Sequence, residues 1–374
     1  METADKSAVR QIVPVRPRAL AVRSAELVRR GLRDLARDSS WMVKRVFADD
    51  SSHLAISPTG LICAVPSGPP GEMRPVVLCD LESSASSMVL SSPGESPSAQ
   101  ETCDAVFAWS PDGARLVAAS SMWPPALHLF DVNKKTLLGT FRGYQVMPSG
   151  IAWSRSSRYL AVATAGAASS LGIWEARTGQ LNFADSPSFE LGAPAWIERQ
   201  TYEAEFGEEG AFRGYGRTTF SPDERWLSTV VEFQGEWADD SIAFVDVPAM
   251  GQQQSHPAHG HITDLSWTHD SVAMLYCAAG AAYRVPLDSM EAQELPFGAE
   301  LCACHPHLPL CVCFSSWLKN SAKGRLFLVD LQHMTVFDEY AADGVADLCW
   351  SADGTKAYAV TRDGRAFIYE PAIL

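Results

Sequence analysis

The stretch FAWSPDGARLVAASSMWPPALHLFDV, residues 107–132, decides the fold. It runs from a short apolar segment through Ser-Pro-Asp-Gly into a second apolar segment. A loop follows, then a third apolar segment that ends in an acid. Pro presets φ, Asp bonds back to its own backbone, and Gly takes positive φ without a steric cost. Alternation at period two between turn signals of this kind predicts strands, not helix.

The same pattern recurs seven times, as LAISPTG (54–60), FAWSPDG (107–113), IAWSRSS (151–157), TTFSPDE (218–224), LSWTHDS (265–271), CACHPHL (302–308) and LCWSADG (348–354). The residue two places before the third-from-last position, next to the turn, is Ile56, Trp109, Trp153, Phe220, Trp267, Cys304 and Trp350 in turn. Successive gaps are 53, 44, 67, 47, 37 and 46 residues, which fits blades of about 40–45 residues with insertions in the first and third copies. Six third strands end on an acid: Asp80, Asp131, Glu175, Asp246, Asp330 and Glu370. The fifth copy, YRVPLD at 283–288, is weaker.

At these residues the chain resembles the WD-repeat β-propeller family over roughly 53–370. The family's terminal Trp-Asp pair is varied here, as Phe130-Asp131, Trp174-Glu175 or Val245-Asp246, and its Gly-His survives as Gly260-His261. The resemblance implies an all-β, seven-bladed propeller of four-stranded blades. It also implies strand-end acids with structural duties, and a platform whose loops choose the partner. The last copy has only three strands before Leu374. An unpaired edge is a liability, so the alternating segment MVKRVFA (42–48) is expected to close the ring as the outer strand of the last blade.

Two regions follow: an arm over 1–40 and a propeller over 41–374. Residues 1–50 carry net +4 and the remainder net −18, within a chain of net −14. An acidic body disfavours direct contact with nucleic acid, which needs a basic footprint. The acidity reads either as solubility or as a surface for a basic protein or peptide. Residues 18–37 are expected to form one helix, with Leu20, Leu27, Val28, Leu32 and Leu35 on a rough apolar stripe and five arginines elsewhere. That helix packs under the propeller or meets a partner or an anionic membrane surface. No segment has the uninterrupted apolar length of a signal peptide or a membrane span. Nine cysteines, an odd number, point to a reducing cytoplasm.

Chemistry is harder to find. LCACHPHLPLCVCF (301–314) contains four thiols and two imidazoles. Aligned on the repeat, Cys302, Cys304, Cys311 and Cys313 fall on one face packed between blades, and His305-Pro306-His307 falls in a solvent-facing turn. Core packing is therefore the expectation, with no metal and no cofactor. His128 sits within a strand. Trp123, Trp237 and Trp317 occupy equivalent loops between second and third strands. In a propeller of this family they share a face with Tyr144 and with the long connector carrying Trp196, Tyr202 and Glu205. Glu236, Asp239 and Asp240 lie nearby. Trp and Tyr dominate interface hot spots. The first reading is thus a non-catalytic scaffold that holds a protein or peptide on this face. The alternative is a small-ligand binder or hydrolase with an acidic site at the axial mouth.

Overall fold

The computed structural model describes residues 42–45, 55–59, 62–66, 76–80, 87–89, 106–120, 126–141, 148–164, 170–185, 212–233, 239–316, 324–361 and 365–370. The chain divides into Met1–Ser39 with Pro371–Leu374, and Ser40–Glu370. All the sheets lie in the second unit. Every element among the described residues that repeats is a strand. The expected fold class, all-β with an N-terminal helix, is corrected to an all-β array among the described residues; residues 18–37 lie outside them.

Six sheets are each built from four consecutive strands. The first joins β2 (Ala55–Ile56), β3 (Ile62–Pro66), β4 (Val76–Asp80) and β5 (Ser87–Val89). The second joins β6 (Phe107–Trp109), β7 (Arg115–Ser120), β8 (Ala126–Asp131) and β9 (Thr136–Phe141). The third joins β10 (Pro148–Trp153), β11 (Tyr159–Thr164), β12 (Leu171–Glu175) and β13 (Gln180–Asp185). The fourth joins β14 (Phe212–Phe220), β15 (Trp226–Phe233), β16 (Ser241–Asp246) and β17 (Gly251–Pro257). The fifth joins β18 (Ile262–Trp267), β19 (Ala273–Ala278), β20 (Ala281–Pro286) and β21 (Gln293–Glu294). The sixth joins β22 (Leu301–Cys304), β23 (Leu310–Ser315), β24 (Arg325–Asp330) and β25 (Thr335–Ala341). A further sheet is composite. β26 (Val345–Trp350), β27 (Ala357–Thr361) and β28 (Arg365–Tyr369) are completed by β1 (Met42–Arg45), antiparallel to β28 with Met42 opposite Ile368.

The first strands β2, β6, β10, β14, β18, β22 and β26 touch in that succession, and β26 touches β2. They therefore line an axial channel. Apolar side chains fill the seams between sheets, not the interior of any one sheet. One such cluster joins Val312, Phe314 and Leu328 to Trp350, Ala357 and Phe367 of the composite sheet. Another joins Ile173 of β12 to Phe220, Leu227 and Val245 of the fourth sheet. Each blade thus hides a face it cannot bury alone.

The turn residues act as the motif requires. Ser110 Oγ accepts from Arg115 N at 2.9 Å and donates to Asp112 Oδ1 at 2.5 Å, while Asp112 Oδ1 also accepts from Ala114 N. Ser221 with Asp223, Thr268 with Asp270, and Ser351 with Asp353 repeat the arrangement. Gly113 and Gly354 hold φ of 68° and 75°, in the left-handed region. In the sixth copy His305 replaces the hydroxyl residue. Contrary to the expected solvent-facing turn it is only 2% exposed, though His307 is exposed. Its Nδ1 accepts from His307 N and Leu308 N, its Nε2 bonds Gly354 O at 3.0 Å, and its ring packs on Trp350. The ring thereby bonds the Gly354 carbonyl of the next blade.

Candidate functional site

Of the residues expected on the loop-bearing face, Trp123, Tyr144, Trp196, Tyr202, Glu236, Trp237 and Trp317 lie outside the described residues, as does Glu205. Asp239 is exposed. Asp240 is 2% exposed and turned inward. Its Oδ2 accepts from Ile262 N and meets His261 Nδ1, both at 2.8 Å, so it ties the fourth blade to the fifth. Burial raises its carboxyl pKa, against the pull of the Ile262 N–H and of His261. Beside it, His259 stacks on Tyr283 at 4.7 Å and bonds the Tyr276 hydroxyl at 2.7 Å.

Among the strand-end acids, Asp131 Oδ1 accepts from Lys134 N, Asp246 Oδ1 from Ala249 N, and Asp330 Oδ1 from Gln332 N and His333 N. Glu175 accepts from Thr178 Oγ1, and Glu370 pairs with Lys356 at 2.8 Å. Asp80 closes β4, and its side chain lies outside the described residues. Four of these acids cap the turn into the fourth strand, while Glu370 holds a neighbouring lysine.

The cysteines face one seam. Cys302 lies opposite Cys313 and Cys304 opposite Cys311, and Cys277 from the fifth blade joins the same apolar cluster. Cys311 and Cys313 stand 3.6 Å apart through sulfur. For Cys302 the thiol contact with Cys277 pushes the pKa well up, ahead of burial, and burial leads for Cys311 and Cys313. Thiols held protonated by burial make poor nucleophiles. Among the described residues no three His, Cys, Asp or Glu side chains are placed to hold a metal ion.

The charged site that sequence reasoning missed lies in the axial channel. Arg217, Asp264 and Asp347 each stand three residues before the turn-adjacent position, on β14, β18 and β26. The other copies place His53, Val106, Gly150 and Leu301 there. The register of the repeat gives these positions, while their partners on the next blade follow only from the ring. Asp264 takes Leu265 N on Oδ1 and Cys302 N on Oδ2. Asp347 does the same with Leu348 N and Ile56 N, both at 3.0 Å. Each aspartate thus holds its own strand and the first strand of the next blade.

Arg217 Nη1 bonds Asp264 Oδ1 at 2.5 Å, with the Arg217 side chain 50% exposed and that of Asp264 10%. Burial raises the Asp264 pKa and Arg217 opposes it. Burial likewise pushes Asp347 up to about 6, with Asp264 adding to the rise and the Ile56 N–H, Arg217 and the Leu348 N–H resisting it. Two cavities meet at this layer. One of about 330 Å³ extends past Ser149, Gly150 and Val106, and one of about 290 Å³ extends past Ser266, Cys304 and Ser351.

No protein-family model matches the chain, and no curated protein matches it. Solved structures do. A chain of the Kuenenia stuttgartiensis hydrazine synthase aligns with a TM-score of 0.62 at 15% identity, covering 88% of this chain and 98% of that one. A chain from the crystal structure of a mitotic checkpoint complex aligns with the same TM-score at 12% identity, covering 99% and 98%. At such identities the likeness shows the fold alone, a β-propeller. Among the described residues no helix is long and apolar enough to cross a membrane.

Proposed function

We propose that this chain is a degenerate WD-repeat propeller acting as a non-catalytic scaffold in the cytoplasm, holding a protein or peptide on its loop-bearing face. The observation that carries the reading is the use the blades make of their reactive groups. The described strand-end acids are engaged in turns or ion pairs, Asp240 in a seam, and the thiols in a core. Selectivity is then left to the loops, where Trp123, Trp237 and Trp317 recur. Fold alone does not set function. Support from the checkpoint-complex chain is limited to its title, which names an assembly of proteins. The acidic body suits a basic partner.

The test is a triple variant, Trp123→Ala, Trp237→Ala and Trp317→Ala, compared with the intact chain in quantitative affinity purification and thermal unfolding. Loss of co-purified proteins with the melting temperature within about 3 °C supports the scaffold, since about 1 kcal/mol moves Tm by only a few degrees in a chain of this size. A collapse of Tm shows that the rings are loop cores, and the proposal falls. A hydrolytic use of Glu205, Glu236, Asp239 and Asp240 is disfavoured, because Asp240 is enclosed and hydrogen-bonded.

A further inference from the structure

The axial layer has unused hydrogen-bonding capacity of both signs. A guanidinium carries five N–H donors, and Arg217 directs one of them to Asp264. A carboxylate offers about four acceptor sites, and Asp347 uses one per oxygen, on Ile56 N and Leu348 N. Arg217 feels the charge of Asp347 but bonds Asp264 instead. Arg217, Asp264 and Asp347 line both cavities, so donors and acceptors border the space the cavities share. With both acids ionised the three side chains sum to one negative charge.

The geometry points to a ligand site at this junction for a primary ammonium with a carbonyl acceptor on the adjacent carbon. The ammonium donates to Asp347 and the carbonyl accepts from Arg217. One positive charge meets one negative charge. A simple carboxylate anion would face two acids for one arginine, and a lone guanidinium would face Arg217. The same chemistry is offered by a small α-amino amide and by the free N-terminus of a polypeptide entering the channel. The inference goes beyond the loop-face scaffold and uses none of its residues.

A proton signature follows. The charged groups facing Asp347 are Arg217 from β14 and Asp264 from β18, with backbone N–H groups from β2 and from Leu348. Its carboxyl is half-protonated near pH 6. An ammonium bound beside it favours the ionised form, so binding at that pH releases protons.

Calorimetric titration of the full chain tests this with glycinamide, N-acetylglycinamide and acetate at pH 7. Glycinamide is expected to bind at least tenfold tighter than either control. Repeating the glycinamide titration at pH 6 in two buffers of different ionisation enthalpy should reveal about half a proton released per site, by the half-titration just given. Tetraglycine amide binding tighter than glycinamide identifies a chain end as the natural source, and weaker binding a small amine. Asp347→Asn should abolish binding in a chain that still unfolds cooperatively. Should that variant not fold, proton release by the unaltered chain decides. Equal binding of acetate or N-acetylglycinamide, no glycinamide heat, or no proton release overturns the site.

Discussion

At the residue scale, one indole repeats a single task. Trp109 Nε1 donates to Ala55 O, Trp153 Nε1 to Ala108 O, and Trp350 Nε1 to Ala303 O, at 2.9–3.1 Å. Trp267 Nε1 reaches Ser228 Oγ at 3.0 Å. Each bond crosses from one blade to the one before it. Trp153→Phe keeps most of the apolar contact but removes the indole's bond to the Ala108 carbonyl, which keeps its place in the ladder opposite Val117. A lost hydrogen bond costs about 0.5–1.5 kcal/mol, so the urea midpoint should fall slightly with the m-value unchanged. A second site works in the opposite direction. Lys135 holds φ of 60° in the turn where Gly179 serves the next blade, and its side chain is exposed. The left-handed region costs a non-glycine residue about 1–2 kcal/mol, against about 0.5–1 kcal/mol of extra chain entropy for glycine. Lys135→Gly should therefore raise Tm slightly. A drop would show that the lysine's ion pair network, begun by Lys134 on Asp131 at 3.3 Å, extends to its neighbour.

Elements meet at seams, and the seams are not alike. Those without a tryptophan are held by other groups. Between the fifth and sixth blades Asp264 takes Cys302 N, and Ser266 Oγ takes Cys304 N. Between the composite sheet and the first blade Asp347 takes Ile56 N, and Ala352 N reaches Pro58 O. Between the third and fourth, Gly150 of β10 lies against the Gly216 carbonyl of β14, and Ser149 Oγ bonds Tyr215 O. A Cβ on Gly150 would fall inside the contact radius of that backbone oxygen. Gly150→Ala should thus destabilise by about 2 kcal/mol or more through overpacking, seen as faster amide exchange in both β10 and β14. Strands and their order were legible in the sequence because turn chemistry and period two are local. Phe220, Cys304 and Ile56 were legible as departures from tryptophan. What replaces it was not, because the replacing groups sit three residues earlier on a different blade, and only ring geometry brings them together. Asp240 misled for the same reason: an acid in a loop reads as exposed until its partner, Ile262 N, is placed.

For the whole molecule, buried titrations of opposite sign oppose each other: Asp240 and Asp264 are shifted in the same direction as Asp347, and His256 and His269 in the same direction as His305. Asp347 has a folded pKa of about 6 against 3.8 as its ordinary value. The fold holds that proton more tightly than the unfolded chain, so stability falls as pH rises from about 4 to 6. His305 has a folded pKa of about 4 against 6.5, chiefly through burial. The fold resists that protonation, so stability falls as pH drops from about 6.5 to 4. Each shift is worth about 3 kcal/mol at full expression, at 1.36 kcal/mol per unit. The two windows overlap almost completely, and their slopes cancel. The contributions of this pair should therefore nearly cancel between pH 4 and 6.5, and each substitution is read in urea unfolding as a change from the profile of the unaltered chain. Asp347→Asn removes one slope, so the variant should weaken more on acidification than the unaltered chain does. His305→Ser, which restores the residue used by five of the other six copies, should weaken more as pH rises through the same interval. The two groups lie on different seams, β26 against β2 and the sixth-blade turn against Gly354, so combining the substitutions should return the unaltered profile at a lower stability. If both single variants keep the unaltered profile, neither group titrates with the shift its burial implies, and the closing seam owes nothing to the charge of Asp347.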